Sequence, residues 1–128
     1  MDGASRGNPG PAAVGAVIKD EEGRLHSSIS KRIGITTNNQ AEYTALITAL
    51  EKAISLGANR VEVKVDSELV VKQIKGIYRV KNAALKPLYQ KAKQLQSTLA
   101  SFTITHIPRE QNSEADGLAN EALDSVVD

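Results

Sequence analysis

The chain contains no cysteine and no tryptophan, and only one phenylalanine and one methionine. Without Cys there is no disulfide, no thiolate metal site and no Cys nucleophile, and the absence fits a cytoplasmic location. No apolar run approaches the length of a membrane span. Met1-Asp2-Gly3-Ala4 opens without the basic-then-apolar pattern of a secretory signal. Acid is missing from the whole of 69–109, a stretch that holds eight basic side chains: Lys72, Lys75, Arg79, Lys81, Lys86, Lys91, Lys93 and Arg109. All fifteen acids lie outside it, so the net charge of +1 hides an asymmetry. A solvated Lys-rich helix face explains such a stretch, and so does a phosphate-binding surface; one surface can be both.

What is present suits a globular domain. The 128 residues suffice to bury a core, with 41% hydrophobic and 24% charged residues. With no repeat, low-complexity tract or linker, residues 1–128 are expected to form one domain. Val14 to Lys19 reads as a strand, Asp20-Glu21-Glu22-Gly23 as a turn, and Arg24 to Ile33 as the returning strand of a hairpin. Thr37 or Asn38 can cap a helix that runs to about Leu56, with Leu46, Ile47, Leu50 and Ile54 as its apolar stripe and Gly57 past its end. Val61, Val63 and Val65 alternate with Glu62 and Lys64 as a strand. Ser67 to Lys75 reads as a helix, and Ala83 to Leu99 as another that tolerates Pro87 only in its first turn. Phe102, Ile104 and His106 alternate as a further strand, and Ser113 to Val126 closes the chain as a helix that buries Leu118, Ala119, Ala122 and Leu123. A hairpin followed by alternating strands and helices predicts an α/β sheet of mixed direction, with its chemistry outside strand ends.

Four carboxylates occupy unusual places. Glu42 lies on the buried stripe of its helix, where it must be paired, neutralised or bound to metal; a first-turn Glu favoured by the helix dipole is the local alternative. Asp66 directly follows a strand, where an Asp also caps the next helix. Asp116 stands three residues after Ser113, as in a capping box. Asp2 precedes a Gly/Pro-rich segment and by itself is an ordinary acid near a chain end. If four acids from separate elements met at one sheet edge, they would repel strongly unless a divalent cation neutralised them. Oxygen ligands without His or Cys suit Mg²⁺ or Mn²⁺, and two such ions can promote phosphodiester hydrolysis.

Asp2-Gly3-Ala4-Ser5-Arg6-Gly7-Asn8-Pro9-Gly10-Pro11 closely resembles the opening motif of the ribonuclease H type 1 family. Thr36-Thr37-Asn38-Asn39-Gln40-Ala41-Glu42 resembles the start of that family's first helix, Val65-Asp66-Ser67 its third motif, and Asn112-Ser113-Glu114-Ala115-Asp116-Gly117-Leu118-Ala119 its last. The four occur in the family's order and span the chain. The resemblance implies a ribonuclease H-like α/β fold with a five-stranded mixed sheet flanked by helices. It implies that Asp2, Glu42, Asp66 and Asp116 ligate two Mg²⁺ ions, or Mn²⁺, and that the RNA strand of an RNA–DNA hybrid is cut to 5′-phosphate and 3′-hydroxyl ends. RNA is told from DNA by its 2′-hydroxyls, and Asn8, Asn38, Asn39 and Gln40 match positions that read the minor groove. Thr37 and Asn82 match positions that hold a DNA-strand phosphate, with Lys81 and Lys86 nearby. Asn8 before Pro9 is also a turn residue, and Asn38 also a helix cap.

Several departures shape the expectations. The family often carries a mobile His that helps product leave; here Arg109 in Ile107-Pro108-Arg109-Glu110 is preferred for that role and His106 comes second, since it also reads as the last inward residue of its strand. The long basic protrusion is reduced to Gly76-Ile77-Tyr78-Arg79, so hybrid affinity is expected to be weak and steeply salt-dependent. Glu68 stands where many relatives have Gln. Only Met1 precedes Asp2, so the first strand is expected to be truncated. A monomer without an obligate protein partner is expected. Two rival readings stay open: a non-catalytic nucleic-acid-binding module of the same fold, and another two-metal phosphodiesterase.

Overall fold

A computed structural model describes residues 1–125. The elements run β1 (Asp2–Ser5), β2 (Gly10–Lys19), β3 (Leu25–Thr36), α1 (Asn38–Ser55), β4 (Arg60–Val65), α2 (Glu68–Ile74), α3 (Lys86–Ser97), β5 (Ser101–His106), a short 3₁₀ turn (Arg109–Gln111) and α4 (Ser113–Asp124). The expected helices and strands are all present, with shifted ends. β2 begins at Gly10 rather than Val14, because its first residues are small and carry no alternation to read. Residues 83–85 form a turn instead of a first helical turn: Asn82 Oδ1 accepts from the N–H groups of Ala84 and Leu85, at 2.8 and 3.2 Å. Pro87 then falls in the first turn of α3, where its missing N–H costs nothing. The expected end of the last helix at Val126 lies outside the described residues.

β1 and β3 both pair antiparallel with β2, and β4 pairs parallel with β5. The five strands are thus mixed in direction, as expected, but they form two ladders, β1-β2-β3 and β4-β5, rather than one continuous sheet. The register Asp2↔Gly15 leaves only Met1 beside β4, and its amino group donates to the Lys64 carbonyl at 3.0 Å. Beyond that bond a cleft of about 840 Å³ separates Val17, Ile18 and Lys19 of β2 from Arg60, Val61 and Glu62 of β4.

Helices cover both faces of the three-stranded ladder. Successive strand residues point to opposite faces. Val14 accordingly joins the main core with Tyr43, Leu46 and Leu50 of α1, while Ala13 joins a smaller core with Ala122 and Leu123 of α4. Full burial of Leu46 and Leu50 contributes roughly 1.5–3 kcal/mol each. Leu118, expected inside, is only partly buried, because α4 lies over small residues of β2 and contacts them mainly through its alanines.

Candidate metal centre

Two glycines let the helices lie flush on the strands. A methyl group on Gly3 would overlap the carbonyl of Ala41 in α1, and one on Gly15 would overlap the carbonyl of Ala115 in α4. With hydrogen in those places, β1 reaches the α1 backbone, and the Gly3 N–H donates to Glu42 Oε1 at 2.6 Å. Asp2 opens β1, and Asp66 follows the end of β4. Carboxylate oxygens of Asp2, Glu42 and Asp66 lie within 4.8 Å of one another. Asp116 stands outside that mutual distance, yet close enough to Asp2 to help raise its pKa.

The local alternatives for these acids fail. Glu42 sits beyond the first turn of α1 and is 3% exposed, so it is no dipole-favoured surface Glu. Ser67, not Asp66, caps α2, its side chain accepting from Val70 N. Ser113 is the first residue inside α4, so it forms no capping box with Asp116; Asn112 takes the cap position. Asp2 is 5% exposed.

The electrostatics follow from burial. Burial pushes the Glu42 carboxyl up to about 9, reinforced by the charge of Asp2. Burial pushes Asp2 up to about 6; the neighbouring Glu42 carboxyl pulls it back down, and Asp66 and Asp116 push it further up. Without a cation, then, burial and the neighbouring carboxylates favour the protonated form of Glu42. The second oxygen, Glu42 Oε2, is buried with no partner among the described residues. An orphaned carboxylate oxygen beside two more carboxylates fits a hard divalent cation, which prefers oxygen ligands and neutralises the repulsion.

The other predicted residues lie in the loop between β1 and β2, at the start of α1, in the segment before α3 and at the first residue of that helix. Thr37 caps α1 in a capping box with Gln40. Gln40 Oε1 accepts from Thr36 Oγ1 at 2.6 Å, Thr37 Oγ1 at 2.9 Å and Thr37 N at 3.1 Å, which leaves its amide nitrogen as the group on offer. Asn8 Oδ1 accepts from Asn38 N at 3.0 Å, so the opening loop is tied to the start of α1. Asn38 and Asn39 are exposed, as are Lys81, Asn82 and Lys86. In the basic stretch, Lys72 is bound locally to Glu68 Oε1 at 2.6 Å and to the Tyr78 hydroxyl at 3.2 Å, and Lys93 to the Ile74 carbonyl at 3.1 Å. Lys75, Arg79, Lys81, Lys86 and Lys91 make no ion pair with the described residues.

Arg109 begins the 3₁₀ turn and places a guanidinium nitrogen 3.8 Å from Asp116 Oδ1, with 79% of its side chain exposed. His106 corrects an expectation. It is exposed rather than inward, because β5 runs past the core at its last residue. There it pairs in register with Val65, next to Asp66. The packing roles of Gly3 and Gly15 and the contacts of Asn112 had no signal in the sequence, since each depends on a partner far along the chain.

Residues 1–122 match the family model described as reverse transcriptase-like. The chain is 48% identical over 126 residues to ribonuclease HI of Halobacterium salinarum, a match that covers 98% of this chain and 63% of that protein. It thus spans less than two thirds of the length of that curated relative. Its fold is similar to the crystal structure of the RNase H1 from Halobacterium salinarum, with a TM-score of 0.95 at 47% identity and coverage of 98% and 95% of the two chains. It is also similar to the crystal structure of LC11-RNase H1, isolated from compost, in complex with an RNA/DNA hybrid, with a TM-score of 0.91 at 47% identity and coverage of 96% and 93%.

Proposed function

Because this chain belongs to the ribonuclease H type 1 family, we propose that it hydrolyses the RNA strand of RNA–DNA hybrids, leaving 5′-phosphate and 3′-hydroxyl ends. One observation carries the reading: three carboxylates from β1, α1 and the end of β4 converge within 4.8 Å, two of them buried, with one oxygen orphaned. Such a cluster is unfavourable by itself and favourable around divalent cations. The hybrid bound by the similar LC11-RNase H1 supports the choice of substrate.

Asp2, Glu42 and Asp66, with Asp116 beside them, would hold two Mg²⁺ or Mn²⁺ ions. Such ions, when bound, stabilise the charge that builds on the scissile phosphate and on the leaving oxygen. In the reaction a water oxygen bonds to phosphorus, the P–O3′ bond breaks, and the leaving 3′ oxygen takes up a proton. The chain's own residues orient the substrate. With their oxygens engaged, Asn8 and Gln40 present amide N–H groups, and with Asn38 and Asn39 they suit 2′-hydroxyl oxygens in a minor groove. Thr37, Asn82, Lys81 and Lys86 would hold the DNA strand through its phosphates. Arg109, exposed beside Asp116, would help the cleaved phosphate leave, with His106 as the second candidate. All four carboxylates come from one chain, which supports action as a monomer.

A cleavage panel with Mg²⁺ tests this: RNA–DNA hybrid, double-stranded RNA, double-stranded DNA and single-stranded RNA. The RNA of the hybrid should be cut and duplex DNA left intact. Equal cutting of both duplexes would leave a general two-metal nuclease, and hybrid binding without cutting a non-catalytic module.

A further inference from the structure

Asn112 is 6% exposed and occupies the N-cap of α4. Asparagine is favoured at that position because its side-chain oxygen accepts from the second or third helical N–H. Here the side chain makes no cap bond. Its Nδ2 donates instead to the carbonyl of Met1 at 2.9 Å, a buried bond across 111 sequence positions. That carbonyl belongs to the planar peptide unit that carries the Asp2 N–H, so the bond holds the backbone from which the Asp2 carboxylate projects. The main chain of Asn112 reaches the other side of the cluster. Its carbonyl accepts from Asp116 N at 3.0 Å, and its N–H donates to the Arg109 carbonyl at 2.9 Å.

Three polar groups of one residue therefore touch the backbone at Asp2, Asp116 and Arg109. Of these bonds, only the one to Met1 joins α4 to the strand that carries Asp2 through the cap residue's side chain. A residue serving only as a cap would keep its oxygen on the helix. We infer that Asn112 is a positioning residue, whose amide fixes Asp116 and Arg109 against Asp2 so that the fourth carboxylate is held beside the other three. The inference rests on the metal-centre reading above and adds to it the device that holds the outlying ligand. Groups that orient metal ligands in this way influence affinity without touching the ion.

Two substitutions separate positioning from capping. Ser caps a helix about as well as Asn but is too short to reach Met1, whereas Ala does neither. The measurement is Mn²⁺ affinity of the full chain by titration calorimetry, without substrate and well below the melting temperature, together with the melting temperature in chelator. Asn112→Ser and Asn112→Ala should both weaken Mn²⁺ binding by about tenfold or more. If Asn112→Ala fails to fold, Asn112→Ser carries the test alone. Wild-type Mn²⁺ affinity in Asn112→Ser, with or without a lower melting temperature, would overturn the inference and leave a cap or a core contact. If the wild-type chain itself takes up no Mn²⁺, the metal-centre reading fails and this inference falls with it.

Discussion

Replacing Glu42 with glutamine should stabilise the metal-free protein while removing the proposed hybrid cleavage. In the folded chain burial raises the Glu42 carboxyl from 4.5 to about 9, so at pH 7 it is protonated, whereas in the unfolded chain it is ionised. Folding at pH 7 therefore requires uptake of a proton by a group that binds it 2.5 pH units below ambient, at a cost of about 3 kcal/mol. The folded state binds the extra proton, so this contribution is harmless below pH 4.5 and grows more unfavourable as pH rises toward 9. Glutamine keeps the shape and the acceptor for Gly3 N–H, needs no proton, and can donate to Asp2. The gain should be up to about 3 kcal/mol at pH 7, which in a domain of this size is a rise of about 10 °C in melting temperature, and under 1 kcal/mol at pH 5. Thermal melts in EDTA at pH 5, 6, 7 and 8 measure it. Mn²⁺ should narrow or reverse the difference, because it binds the wild-type carboxylates more tightly. A variant no more stable than wild type at pH 8, or equally stabilised at pH 5 and pH 7, would refute this account of the buried carboxyl.

Other perturbations probe the surface and the sheet. Lys81→Ala and Lys86→Ala, both at exposed positions free of ion pairs with the described residues, should weaken hybrid binding and each lower its salt slope by about one phosphate's worth; unchanged slopes in both would return 69–109 to a solvated helix face. Fusing about five residues of alternating apolar character ahead of Met1 should place a strand in the 840 Å³ cleft between β2 and β4. The melting temperature should then rise by several degrees, on the scale of 1–2 kcal/mol, and equal melting of the two forms would show that the facing strand edges gain nothing from pairing.

Much of this arrangement could be read from residue order because its signals are local. The stripe Leu46-Ile47-Leu50 behind a Thr37 cap marks α1 and makes Glu42 conspicuous as an acid on an apolar face. The alternation of Val61, Val63 and Val65 marks β4 and puts Asp66 at its end. β1 offered no such signal: Asp2-Gly3-Ala4-Ser5 has no alternation, and its pairing depends on residues 12–15 of β2. The division of the five strands into two ladders goes with the short first strand expected from the sequence, which leaves few backbone groups beside β4. Strand alternation misplaced His106 because periodicity says nothing about where the core ends. Asn112 and Gln40 illustrate the same limit for hydrogen bonds. Each suits a helix start, but only Gln40 uses its side chain there, and the Asn112 partner lies at the other end of the chain.

The central claim is that these carboxylates hold the divalent ions that hydrolyse RNA paired with DNA. Asp66→Asn tests it most directly, since it preserves shape and removes one carboxylate from the three that meet within 4.8 Å. Wild type and variant, matched for circular dichroism and melting temperature in EDTA, would be given the same end-labelled RNA–DNA hybrid with Mg²⁺. The account predicts RNA cleavage by wild type, its loss in EDTA, and no detectable cleavage by Asp66→Asn; cleavage by Asp66→Asn at a rate near wild type would contradict it.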